Sequence, residues 1–321
     1  MENNKHTLEA SPKKLALKID VDTFKGTKIG VPNLLGLLKK HQADATFLFS
    51  LGPDHTGRAI KRVFRKGFLS KVSRTSVVAN YGFTTLLYGT LLPGPDIGKR
   101  CANILRQTAA EGFETGIHTW DHVLWQDNVI GADAAWTKTQ MERAQSRYTD
   151  IFKSPARTHG AAGWQMSHHA LRLTQSMGFT YCSDGRGQFP HFPMWNGELI
   201  DCPQLPSTMP TLDEIIGLDG VTETNVADKL LALTPKLPLC PSGHVFTLHA
   251  ELEGMRLLSQ FEALLVGWRE QGYTFVSTAK MFETLNRAAL PYAHVSHGEI
   301  PGRSGSLLVQ GAEFLHERIA N

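Results

Sequence analysis

Short apolar runs alternate with longer amphipathic stretches along the chain. The runs at 15–19, 45–51, 114–117, 180–182, 199–202, 244–248 and 274–276 read as strands. Between them, 32–40, 97–111, 132–153, 167–177, 225–233 and 256–271 carry apolar residues at helical spacing, several opened by Asp, Ser or Asn and closed by Gly. Seven or so strands with intervening helices predict an α/β chain built on a parallel sheet, either open or closed into a barrel. In both arrangements, chemistry is expected of polar residues at the C-terminal ends of the strands.

One stretch interrupts this alternation. Residues 58–74 hold seven Lys or Arg and no acid, and 75–95 then run 21 residues without a charge. Only 10 of those 21 are apolar, broken by Gly, Thr and Pro, which makes a poor membrane-spanning helix. A basic stretch followed by Phe, Tyr and Leu suits an anionic membrane surface better; a solvated basic helix capping the core is the alternative. The segment 56–96 therefore reads as a basic and apolar helical insertion between two βα units.

With 41% apolar, 20% charged and 9% aromatic residues in 321, the composition is that of an ordinary folded chain, neither disordered nor fibrous. The net charge of +3 is too small a surplus to point to nucleic acid. The N-terminal MENNKHTLEASPKK has no apolar core behind its charges and no small-residue cleavage site, so cytoplasm is the expected compartment. Cys101, Cys182, Cys202 and Cys240, spaced 81, 20 and 38 residues apart, fit neither a CxxC pair nor a four-thiolate zinc site and read as reduced, buried thiols.

Three segments carry chemistry. In KIDVDTF an apolar strand delivers Asp20 and Asp22 to one side of its end. Two such carboxylates repel unless a cation, a proton or an arginine lies between them, so they read as one metal ligand and one acid/base group. In GIHTWDH, His118 and His122 stand at i, i+4 and would face the same way on a helical turn. With Asp22 they form a two-His, one-carboxylate set for one divalent ion, zinc, cobalt or manganese, leaving positions open for water and substrate. Asp121 and Trp120 between them suit a supporting and a packing role. In FTLHAE a strand ends at His249, which could protonate a departing amine. Arg157 could hold Asp20 ionised, and Asp184 could orient His249. Each has a structural alternative, as a turn or capping Asp, a core His or a surface ion pair; their joint presence favours chemistry. His168, His169, His294 and His297 receive no catalytic role. No GxxxxGK[ST], GxGxxG or GxSxG signature occurs, which disfavours nucleotide and serine-hydrolase chemistry.

Over roughly 15–285 these segments resemble the polysaccharide deacetylase family, also called NodB-homology or carbohydrate esterase 4. His118-Thr119-Trp120-Asp121-His122 fits its H[ST]xxH pattern; the acids stand as DxD rather than DD, and RTHG lacks the usual proline of the arginine motif. The resemblance implies a distorted (β/α) barrel, usually of seven strands, with metal ligands Asp22, His118 and His122 and catalytic groups Asp20, His249, Arg157 and Asp184. More narrowly, KIDVDTF, GIHTWDH, RTHGAAGW and FTLHAELEG are similar to the branch that deformylates formamido-arabinose carried on undecaprenyl phosphate. That branch implies a role in lipid A modification and resistance to polymyxin and other cationic peptides, with the protein peripheral on the cytoplasmic face of the inner membrane. The insertion would then meet the anionic inner-membrane surface, and 286–321 would be a C-terminal tail. The rival readings are a deacetylase of an N-acetylated glycan and a non-catalytic binder of a lipid-linked sugar.

Overall fold

A computed structural model describes residues 13–59, 83–303 and 305–314. In chain order the strands are β1 (Lys13–Val21), β2 (Thr46–Ser50), β3 (Glu114–Thr119), β4 (Thr158–His159), β5 (Tyr181–Cys182), β6 (Phe192–Trp195), β7 (Glu198–Leu199), β8 (His244–His249), β9 (Tyr273–Val276), β10 (Tyr292–Gly298) and β11 (Leu307–Phe314). Seven of them form one sheet in the order β5-β4-β3-β2-β1-β8, with β9 also against β1. Every pairing in it is parallel. This is the curled, helix-flanked half-barrel that the resemblance implies.

β1, which pairs with β2, β8 and β9, is buried from Leu15 to Val21, and β2 is buried throughout. Strands covered on both faces are uniformly apolar except where a polar group has a task, which singles out Lys18 and Asp20 within β1. The flanking helices follow their capping signals. Asp133 accepts from Trp136 N to open Ala134–Phe152, and Ser167 accepts from Ala170 N to open His168–Ser176. The helix expected at 97–111 is instead two, Ile97–Arg100 and Ala102–Ala110, broken where Cys101 takes φ −109°, ψ 10°. β4 escapes the sequence pattern because two residues carry no periodicity. Of the strand expected at 199–202, only the two-residue β7 forms, and it belongs to a second sheet.

That second sheet has the order β11-β10-β6-β7. Two of its strands come from the segment expected as a tail. β11 is tied to the loop after β5 by Arg186 N to Leu308 O (2.9 Å) and Gln310 N to Arg186 O (2.8 Å), so the C-terminal segment packs beside the main sheet's C-terminal edge. All four cysteines are free and buried.

Of the expected insertion at 56–96, residues 60–82 lie outside the described residues. Its stem is closed by Asp54 N donating to Pro95 O at 3.0 Å. Gly52 N donates to Trp120 O at 2.7 Å, and the His55 ring meets Asp121 at 2.5 Å. The insertion thus leaves and returns beside the end of β3.

Candidate active site

Strands β1, β3 and β8 of the parallel sheet deliver the site. In their register Asp20 of β1 lies opposite Leu48 of β2 and His249 of β8, so the proposed base and acid sit side by side on paired strands. Asp22, just past the end of β1, reaches the imidazoles presented by β3 and the turn after it. Its Oδ1 is 3.2 Å from His118 Nε2 and its Oδ2 3.3 Å from His122 Nε2. One ligand atom of each of the three residues lies within 4.8 Å of the others.

The two histidines converge by a route other than the helical turn expected. His118 belongs to β3, whereas His122 opens the helix His122–Asn128. Asp121 caps that helix, its Oδ1 accepting from Leu124 N at 3.0 Å, while its Oδ2 meets His55. The strand-to-helix turn therefore brings the rings together, with centroids 5.3 Å apart. His118 Nδ1 donates to the carbonyl of Gly160 at 2.7 Å. A carbonyl can only accept, so the lone pair of Nε2 is left facing Asp22.

Burial opposes the charge on Asp22, but the His122 and His118 imidazoles outweigh it and hold its pKa below the usual carboxylate range. Burial likewise opposes protonation of His118, and Asp20 and Asp22 together outweigh it, raising its pKa. The donor set fits a divalent cation on a further ground: the buried Oδ1 atoms of Asp20 and Asp22 have no hydrogen-bond partner among the described residues. Such an orphaned oxygen costs about 1–3 kcal/mol, and a bound cation removes that cost.

The two supporting residues expected of the sequence lie elsewhere. Arg157 does not reach Asp20; it is exposed, its Nε bonding Thr180 Oγ1 at 3.3 Å. It stands just before the two-residue β4, so its side chain leaves at the sheet's outer surface. The cation beside Asp20 is Lys18, fully buried, with Nζ 3.4 Å from Asp20 Oδ2 and donating to Ser183 O at 3.0 Å. Burial pushes the Lys18 ammonium pKa down against the pull of Asp20 and Asp184. Gly160 makes the space, since a Cβ there would stand 3.0 Å from Lys18 Cε. Asp184 orients His159 rather than His249, accepting from His159 Nδ1 at 2.6 Å.

His249 is held by its backbone, its N–H donating to Glu253 Oε2 at 2.8 Å, and its ring stands edge-on to Trp164. Burial lifts the Glu253 carboxyl to about 7 against the pull of His249. Glu251 shapes the Asp22 loop, Oε1 accepting from Thr23 N (2.8 Å) and Asp22 N (3.1 Å). Burial, then the nearby Asp22, pushes its pKa well up. Lys18, Glu251 and Glu253 escaped sequence reasoning, although a lysine amid the apolar run LALKI and two acids following a strand-end His were visible anomalies.

Known proteins resemble this chain in sequence and in fold. Residues 8–182 match the family model described as "Polysaccharide deacetylase". A Shewanella sediminis protein named "Probable 4-deoxy-4-formamido-L-arabinose-phosphoundecaprenol deformylase" is 36% identical over 96% of this chain and 98% of its own length. A Wigglesworthia glossinidia brevipalpis protein with the same name is 33% identical over 89% of this chain and 98% of its own. Among solved structures, a candidate polysaccharide deacetylase from Mycobacterium smegmatis superposes with a TM-score of 0.57 at 16% identity, covering 91% of this chain and 99% of that one, a likeness of fold.

Proposed function

We propose, on the premise that the chain belongs to the polysaccharide deacetylase family, that it hydrolyses the formamide of 4-deoxy-4-formamido-L-arabinose-phosphoundecaprenol. As a member of that family it is a hydrolase of amide bonds on carbohydrate. The observation that carries the narrower reading is the Asp22–His118–His122 cluster beside the register-paired Asp20 and His249. It occurs in a chain aligned over 96% of its length with a relative named for this deformylation.

A divalent ion held by Asp22, His118 and His122 would polarise the formyl carbonyl and acidify a water. Asp20 takes the proton of the attacking water as its oxygen bonds to the formyl carbon. Lys18, its Nζ 3.4 Å from Asp20 Oδ2, orients that carboxylate, the positioning expected of Arg157. His249 gives a proton to the departing nitrogen as the C–N bond breaks, so the products are formate and the 4-amino sugar lipid. Glu253 and Trp164 hold His249 for that transfer.

A polyprenyl-linked substrate stays in the membrane, so the enzyme works at its surface. No helix among the described residues is long and apolar enough to cross a membrane. Within the insertion, Leu91 is 80% and Leu92 40% exposed, which suits docking on the anionic cytoplasmic face of the inner membrane. The freed amine serves lipid A modification and thereby polymyxin and cationic-peptide resistance. The test is formate release from the formamido-sugar lipid, followed by mass spectrometry of the product. Loss of the formyl group is expected; consumption of an N-acetyl glycan with the formamido lipid untouched overturns the reading.

A further inference from the structure

Three cations surround one indole beside the site. The Trp164 ring, 1% exposed, has Arg303 Cζ at 4.3 Å, Arg186 Cζ at 4.9 Å and Lys18 Nζ at 5.2 Å from its centroid. Lys18 serves Asp20, and Arg186 serves the fold. All three of its nitrogens are engaged: Nε on Ser207 O (3.3 Å), Nη1 on Glu214 Oε1 (2.5 Å) and Nη2 on Met209 O (2.9 Å).

Arg303 differs. It comes from the turn between β10 and β11, and Gly302 there has φ +81° and packs against the Glu214 carbonyl where a Cβ would collide. Its Nη1 donates to Glu214 Oε1 at 3.2 Å, with Asp213 Oδ2 at 3.9 Å. Among the described residues no other side-chain nitrogen of Arg303 is hydrogen-bonded. Two carboxylates and an indole thus fix the guanidinium while its remaining edge stays available, and the side chain keeps 13% of its surface open. Trp164 stands edge-on to His249 with ring centroids 6.5 Å apart, so Arg303 lies against the same indole as the proposed acid. Arg303, Asp213 and Glu214 all lie beyond the 8–182 stretch matched by the family model, as His249 does.

We propose that Arg303 binds the phosphate joining the sugar to its carrier lipid. A planar fork with donors to spare, packed on the indole that also meets His249 and Lys18, suits a phosphate oxygen pair near the proposed centre. The inference rests on the deformylase reading and deepens it: recognition of the phosphate would select lipid-linked sugars over neutral glycans.

The test compares wild type, R303Q and R303K on a soluble 4-formamido-arabinose 1-phosphate and on its phosphate-free methyl glycoside. For R303Q, KM for the phosphate-bearing sugar should rise about ten- to hundredfold, as for a lost charge-assisted hydrogen bond, with kcat much less affected. KM for the methyl glycoside should change far less. R303K, which keeps the charge but not the fork, should fall between. Should R303Q fail to fold, R303K carries the same comparison. A rise in KM shared equally by both sugars, or no rise for either, overturns the proposal. So does an equal loss of R303Q from anionic vesicles lacking the sugar, which would place the residue at a lipid headgroup. Calorimetric binding of arabinose 1-phosphate to wild type and R303Q separates the two readings. If wild type deformylates neither sugar, the deformylase reading fails, while weaker binding by R303Q still upholds the phosphate contact and equal binding removes it.

Discussion

Two buried histidine–carboxylate meetings lie at the ends of adjacent strands, and they differ in what they leave over. At β4, His159 donates to Asp184 Oδ1 at 2.6 Å, Gln204 Nε2 donates to Asp184 Oδ2 at 3.0 Å, and Asp184 N returns a bond to Gln204 Oε1 at 2.9 Å. The His159 ring packs beside Trp125 and Phe179. Both carboxylate oxygens are used, and nothing remains for a ligand. At β3, Asp22 faces two imidazoles, yet its buried Oδ1 has no hydrogen-bond partner among the described residues, as is true of Oδ1 of Asp20 beside it. Other buried side-chain atoms, such as Ser50 Oγ and Thr119 Oγ1, also lack a partner among the described residues; what sets this place apart is that orphaned carboxylate oxygens and two imidazoles converge where one cation can satisfy them.

Substitutions at the two places should therefore fail differently. Asp22→Ala or His118→Ala should remove turnover by about a thousandfold or more, the size expected when several kcal/mol of metal-borne stabilisation is lost. Asp184→Ala should leave metal content intact and lower unfolding stability by about 3–5 kcal/mol in a denaturant titration, because the histidine and glutamine lose their buried partner. If Asp184→Ala strips the metal while remaining as stable as the parent, the division between the two places is wrong.

Glu253 carries another unfilled buried oxygen, Oε1, and gives the comparison a pH axis. Its carboxyl sits at about 7 against an ordinary 4.5, so between those values the folded protein holds a proton that the unfolded chain has released. The resulting stability is full below pH 4.5 and is lost as pH rises through about 7, at most about 3 kcal/mol. Glu253→Gln should flatten that slope in melts across this range; an unchanged slope would assign the titration elsewhere. Lys18→Met should lower kcat by about a hundredfold with KM and metal content retained, because Asp20 loses the cation that orients it. The smallest effect is expected of the basic stretch: each cation reversed between 58 and 74 should weaken binding to anionic vesicles by about 1 kcal/mol, and unchanged partitioning would favour a solvated helix.

The difference between the two places also explains what could be read in advance. Asp22, His118, His122, Asp20 and His249 were legible because strand periodicity and short spacing fix them locally. The parallel sheet then brings them together, Asp20 and His249 as register partners. Arg157 and Asp184 were assigned partners across long sequence gaps, and which side chain meets which there depends on packing. A lysine four residues before Asp22 took the task expected of Arg157, and a histidine two residues beyond Arg157 took Asp184. The C-terminal segment read as a tail because β10 and β11 are strands only in the company of β6, whose two-residue neighbour β7 leaves no period of its own. Arg303 was invisible for the same reason.

The account stands on one divalent ion held by Asp22, His118 and His122. The most direct measurement is the metal content of the purified chain, set against that of His122→Ala and of His159→Ala. One equivalent in the parent and in His159→Ala, with none in His122→Ala, is the expected result. Equal metal in all three, or its loss only with His159, would contradict it.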